Sequence, residues 1–222
     1  MDTLAETIGV PLSALKLVAS LFAGYPLTFA HRWTLWGKSE TLQHLYFATT
    51  GMGMIYWCYG KDLIHSFICT FVQWATMKTL GHSRLGLYFS FLFQFGYLLG
   101  GYYFTETEGY DICWTMPGCV MCLRLIGLAF DRFDGAKPKD QRRPDQIDRC
   151  LERSPSVLEV FGFSYAFPGL MIGPQYPLSH YRKFVRGELT DRKGQVPNSV
   201  SAGLQMGAMG VGLLGLNEVL KV

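Results

Sequence analysis

Leu85-Gly-Leu-Tyr-Phe-Ser-Phe-Leu-Phe-Gln-Phe-Gly-Tyr-Leu-Leu-Gly-Gly-Tyr-Tyr-Phe-Thr105 lies between Arg84 and Glu106 and contains no charged side chain. A helix rises ~1.5 Å per residue, so a run of this length reaches across a hydrocarbon core of ~30 Å. Tyr97, Tyr102 and Tyr103 gather toward one end, where amphipathic rings settle at a membrane–water boundary. This stretch predicts a membrane-spanning helix, and the rest of the chain is read outward from it.

Four further apolar stretches have a similar character. Residues 10–30 are interrupted only by Lys16, close enough to one end to snorkel. Residues 42–59 carry Gly51 and Gly53, which permit close helix approach. Residues 63–77 form a shorter span, and 112–130 a fifth that is broken by Arg124. The expected fold class is therefore all-α, a polytopic transmembrane helical bundle. The chain of 222 residues is 49% hydrophobic and 17% charged, below the charge content of ordinary soluble domains. Its net charge of +3 and scattered basic residues argue against a nucleic-acid partner.

Residues 131–156 are the strongest polar stretch, with seven basic and six acidic side chains between Asp131 and Arg153, and read as a solvated loop. If the five spans alternate, one side receives eleven Lys and Arg and the other receives one, so the first is cytoplasmic. A sixth span at 157–176 would carry the five basic residues of 182–193 to the wrong side. Pro168, Gly169, Gly173 and Pro174 would also break it repeatedly. A re-entrant or broken segment satisfies both facts, and such backbone persists in a membrane only where protein or a watery cavity surrounds it. Residues 201–222 form an atypical apolar ending, whose glycines make it a weak helix former.

Charges inside apolar segments are functional candidates, because each is costly there. Arg124 and Glu159 are candidates either to pair with one another or to grip a polar head group. The cluster Tyr110, Asp111 and Trp114 sets acidic and aromatic groups at a helix start, with Thr115 as its cap and Pro117 in its first turn. The alternative reading of that cluster is an interfacial anchor. His31, His44, His65, His82 and His180 begin no His-x4-Asp pattern and no HExxH. Gly162-Phe163-Ser164-Tyr165-Ala166 lacks the closing glycine of a nucleophile elbow. Cys119 and Cys122 form a CxxC without a second pair, so they read as packing residues, and no metal set is expected. The residues offer no complete catalytic site.

A set of short motifs does carry a resemblance. Gly101-Tyr102-Tyr103, Tyr110-Asp111-Ile112-Cys113-Trp114-Thr115-Met116-Pro117, Leu125-Ile126-Gly127-Leu128-Ala129 and Phe133-Asp134-Gly135 occur in order. Pro155-Ser156-Val157-Leu158-Glu159-Val160, Gly162-Phe163-Ser164-Tyr165, Gly173-Pro174-Gln175, His180-Tyr181 and Gly187-Glu188-Leu189 follow them. Over roughly residues 10–200 this pattern resembles the membrane-bound O-acyltransferase family, and it fades beyond Ser201.

The resemblance implies a multi-pass endoplasmic-reticulum enzyme of phospholipid remodelling. It would transfer a fatty acyl group from acyl-CoA, its co-substrate, to lysophosphatidylcholine and related lysophospholipids, with no bound cofactor. Its partners would be those substrates and membrane lipid, with a homodimer left open. The family's catalytic His lies in a Trp-His-Gly motif after an essential Asn. No Trp-His-Gly occurs here, and the asparagines are Asn198 and Asn217 alone. No catalytic residue is therefore carried over, and the chain is expected to be an inactive amino-terminal portion. The expected substrate-tunnel residues are Tyr110, Asp111, Trp114, Arg124, Glu159, Ser164, Tyr165, Gly173, Pro174 and Gln175. The competing reading is a non-catalytic membrane protein that binds lipid or pairs with a full-length relative.

Overall fold

A computed structural model describes residues 7, 9–105, 112–189 and 199–220. Within them the secondary structure is entirely helical: α1 (Leu12–Thr34), α2 (Glu40–Tyr59), α3 (Leu63–Thr79), α4 (Arg84–Thr105) and α5 (Thr115–Asp134) are long. Short helices α6 (Pro144–Arg149), α7 (Val157–Ser164) and α8 (Leu178–Val185) follow, and then α9 (Ser199–Leu220). The chain divides into two compact units, residues 1–188 and 189–222.

Local chemistry sets several boundaries. Glu40 opens α2, where the helix dipole favours a negative charge, and Gly60 ends it at φ +60°. Ser156 caps α7 by accepting the Glu159 backbone N–H at 3.2 Å. Pro168 then lies in a short 3-10 turn, Phe167–Gly169, because it has no N–H with which to continue the helix. The stretch 157–176 is thus a short helix, a turn and an irregular return through a cis Gly173–Pro174 bond. Every residue from Val160 to Phe167 is buried.

In the first unit α2 packs most extensively on α7, and α4 on α5. The core includes Phe47 and Ile55 of α2, Leu125 and Leu128 of α5, Val160 and Phe163 of α7, and Leu178 and Tyr181 of α8. Close approach of α2 and α7 requires Gly51, where a Cβ would overlap the Tyr165 carbonyl oxygen. Trp114, not Thr115, occupies the cap position of α5, and the Thr115 hydroxyl instead lies 2.9 Å from Cys113 Sγ.

Helix α4 is turned inside out relative to a helix of a water-soluble bundle. On α4 the buried positions are Gly86, Ser90, Gln94 and Leu98, one every four residues. Gln73 of α3 donates to Ser90 Oγ at 3.2 Å, and Gln94 donates to the Cys69 carbonyl at 2.9 Å. Leu85, Tyr88, Phe89, Phe91, Leu92, Phe95 and Leu99 face outward. Polar groups between helices and aromatic groups outside suit a lipid solvent.

By length and composition alone, one helix among the described residues is apolar enough to cross a membrane, Leu12–Thr34. The expected lead span, residues 85–105, is helical, but its Tyr, Gly, Ser90 and Gln94 lower its mean hydropathy. In the second unit α9 runs unbroken from Ser199 to Leu220. Residues 201–217 of it are exposed, and a lipid-like surrounding favours a helix because backbone groups must then be satisfied internally.

Replacing Gly51 by Ala should destabilise the protein by about 1–3 kcal/mol through overpacking against fixed backbone. Gly53→Ala, where a Cβ meets nothing within 4 Å, should be neutral or stabilising. Thermal unfolding of the two variants in one detergent checks this, and equal midpoints would contradict the packing described.

Candidate functional site

Arg124 projects from the middle of α5 into the interior and is only 3% exposed. Its guanidinium reaches the broken stretch rather than a carboxylate. Nη1 donates to the Phe163 carbonyl at 3.1 Å and the Ser164 carbonyl at 3.0 Å, and Nη2 donates to the Gly169 carbonyl. Nε donates to Gln175 Oε1 at 3.5 Å, and Gln175 Nε2 returns a bond to the Val120 carbonyl at 2.7 Å. The cation also lies over the Tyr176 ring, 4.9 Å from its centroid, and near the Phe163 ring at 5.5 Å.

The choice of partners has a physical reason. The Phe163 and Ser164 carbonyls close α7, where a helix leaves acceptors unsatisfied and carries its negative dipole end. A forked guanidinium offers five donors and spans several acceptors at once. Gly169 lets the chain come this close, since a Cβ there would meet the Pro174 carbonyl oxygen and Arg124 Nη2.

The expected tunnel residues therefore separate into groups. Arg124, Ser164, Pro174 and Gln175 are gathered at this clamp, with Gly173 beside it at φ +111°. Ser164 Oγ is fully buried and, among the described residues, has no hydrogen-bond partner. Tyr165 points away and bonds Ser66 Oγ at 2.8 Å. Trp114 stacks on His65 at 4.1 Å between centroids, on a different side of α5. Glu159 does not pair with Arg124: it lies in the first turn of α7, the end away from the carbonyls that Arg124 meets, and pairs with Arg182 of α8. Tyr110 and Asp111 lie outside the described residues.

Three of the five histidines are engaged in packing, while His82 and His180 are exposed. His44 Nδ1 lies 2.9 Å from the Tyr181 hydroxyl, and His65 Nδ1 lies 2.9 Å from the Tyr97 hydroxyl. His31 Nε2 lies 3.0 Å from Gln43 Oε1, while Gln43 Nε2 donates to the carbonyls of Lys38 and Val185. That last network ties α1, α2 and α8 together. Its signal in the sequence was a Gln and a His on otherwise apolar helices. Among the described residues no three His, Cys, Asp or Glu side chains converge as a metal set would.

Two concavities flank the clamp. An apolar groove of about 440 Å³ runs between α1 and the bend, lined by Phe22, Tyr25, Met54, Phe167 and Met171. A larger cavity of about 830 Å³ is charged, and it opens among the 139–153 loop, the start of α2, α7 and α8. Here the Arg142 hydrogen bond holds the Glu152 carboxyl below the usual carboxylate range. Burial pushes the neighbouring Tyr181 phenol well above its usual value. Composition suggested this loop was merely solvated; its folding into a cavity wall depends on Arg132 donating to the Leu151 and Glu152 carbonyls and on Arg142 donating to those of Lys137 and Gly135.

Arg124→Met should remove the donors from several buried carbonyls and cost about 3–5 kcal/mol, as when one side of a buried charged contact is deleted. Arg124→Lys should recover less than half of that loss, because a single ammonium cannot span the same acceptors. Unfolding midpoints decide it, and wild-type stability of the lysine variant would contradict the forked clamp.

Comparison with known proteins assigns the chain. The model of the membrane-bound O-acyltransferase family matches residues 99–219. That match runs past Ser201, where the sequence reading had the resemblance fade. Lysophospholipid acyltransferase 5 of Homo sapiens is 40% identical over 211 residues, covering 95% of this chain and 43% of that protein. The Caenorhabditis elegans lysophospholipid acyltransferase 5 is 37% identical over 199 residues, covering 90% and 42%. Lysophospholipid acyltransferase 1 of Arabidopsis thaliana is 26% identical over 194 residues, covering 85% and 41%. The chain thus spans less than half the length of these relatives. With a family match over more than half of its own residues, the chain belongs to the membrane-bound O-acyltransferase family.

Proposed function

We propose that this chain supplies the amino-terminal, membrane-embedded part of a lysophospholipid acyltransferase that uses acyl-CoA as donor and lysophosphatidylcholine or a related lysophospholipid as acceptor. The observation that carries the reading is the 40% identity to lysophospholipid acyltransferase 5 across 95% of the chain. The outward aromatic faces and the buried Gln and Ser of α3 and α4 support a multi-pass arrangement in a membrane, which we assign to the endoplasmic reticulum on the family resemblance alone. On this reading residues 10–30, 42–59, 63–77, 85–105 and 112–130 are spans, and 157–176 enters and returns.

The role of these residues is to bind and orient. The clamp fixes the bend 167–171, and the bend forms one wall of the apolar groove. A groove of this size with an aromatic and thioether lining suits a fatty acyl chain. The acyl-transfer step itself needs a base near the lysolipid hydroxyl. His44 and His65 are bonded to tyrosines instead of a nucleophile, and no Trp-His-Gly occurs within residues 1–222. The chemistry is accordingly assigned outside this chain.

Reconstituted chain should crosslink a photoreactive acyl group on lysophosphatidylcholine at Phe22, Phe167 or Met171, and Met171→Trp should reduce that labelling severalfold. Labelling spread evenly over Phe91 and Phe95 would remove the groove from the account. Acyl transfer from acyl-CoA should stay at background for the chain alone, and turnover free of endogenous enzyme would overturn the assignment of chemistry elsewhere.

A further inference from the structure

The charged cavity belongs neither to the clamp nor to the apolar groove. Its walls hold three acidic side chains, and each is already matched: Glu40 by Arg186, Glu152 by Arg142 and Glu159 by Arg182. Two cations in the same wall, Lys139 and Arg153, have no ion-pair partner within 4 Å among the described residues. The cavity therefore carries a surplus of two positive charges. Arg182 and Arg186 each engage their glutamate through Nε. Among the described residues no partner takes their Nη groups, so two guanidinium forks still have donors to offer.

The position matters as much as the charge. The cavity sits where the apolar helices end: beside Glu40 at the start of α2, beside α7 at its first turn, and beside α8. Tyr181 and Val185 of α8 are buried, while Lys183 and Arg186 are exposed. Ile147 lines the same rim and is 57% exposed, which leaves an apolar group beside the cations. Donors above, a surplus of two charges, and an apolar rim at the level of the head groups fit one chemical class. Forked guanidinium groups match phosphate oxygens, and clustered Lys and Arg at a membrane face attract anionic lipid.

We propose that this cavity is a binding site for a phosphomonoester dianion, held by Lys139, Arg153 and the free Nη groups of Arg182 and Arg186. Two sources share that chemistry, a multiply phosphorylated lipid head group and a soluble phosphate ester. The site goes beyond the acyl-transfer reading and does not rest on it. Occupancy would tie the 139–153 loop to α8 and thereby stiffen the face of the protein on which α7 begins.

The test uses the whole chain in neutral detergent and reads binding by native mass spectrometry and by the unfolding midpoint. Probes are dioctanoyl phosphatidylinositol bisphosphate, soluble inositol trisphosphate, and dioctanoyl phosphatidylcholine as the net-neutral phosphodiester control, which has no phosphomonoester. The phosphorylated probes should bind and raise the midpoint, and the control should do neither. The double variant Lys139→Glu/Arg153→Glu should lose at least tenfold in affinity, about 1.4 kcal/mol. Lys61→Glu, a helix length of ~30 Å away along α2, should bind as the parent does. Binding of the lipid and not of the trisphosphate supports the proposal with a lipid source. Binding of both supports it with the phosphate ester as the recognised group. Binding unchanged in the double variant, or absent for both phosphorylated probes, overturns it. A double variant with the parent's unliganded midpoint separates loss of binding from loss of fold.

Discussion

A positive charge held by carbonyl oxygens is the constraint on which the rest of this structure depends. Arg124 stands in the middle of an apolar helix, where an unsatisfied guanidinium would be very costly. Its partners are the carbonyls at the end of α7 and in the turn after it. The dependence runs both ways. The bend at 164–176 has backbone acceptors that no helix can satisfy, and the cation would otherwise be buried without compensation. Each solves the other's desolvation problem, so helix α5 and the bend can form together only in this register.

The consequences reach outward from that pair. Fixing the bend sets Tyr165 against Gly51 and Ser66, which joins α2 and α3 to α7. It also fixes Phe167 and Met171 as one wall of the apolar groove. At the first turn of α7, the Glu159–Arg182 pair holds α8 in place and with it one wall of the charged cavity. One buried contact thus sits between an apolar concavity and a charged one.

Much of this was legible in the residues. Charge-free length identified helices at 85–105 and elsewhere, and the Pro and Gly of 157–176 marked a broken segment because they lack donors or order poorly in a helix. Arg124 stood out as a charge among apolar neighbours. Its partners did not, because backbone carbonyls leave no trace in residue identity. A carboxylate or a polar head group was expected, yet Glu159 lies at the first turn of α7 and is taken by Arg182. The charged cavity was hidden for a related reason. Its walls come from Glu40, Arg142 and Arg186, far apart in the chain, and the loop between Asp131 and Arg153 reads as solvated until its arginines are seen bonding its own carbonyls.

On the proposed topology the stretch after α5 goes into the protein and returns, leaving the 131–156 loop and α8 on one face. Sided labelling tests it most directly. Single cysteines placed at Lys139, Lys183 and Lys61 in a background without native cysteines would be exposed to an impermeant maleimide in sealed microsomes. Lys139→Cys and Lys183→Cys should react from outside the vesicle, while Lys61→Cys should react only after permeabilisation. Labelling of Lys183→Cys only after permeabilisation would mean that 157–176 crosses the membrane completely, and would contradict the clamp as the organising contact.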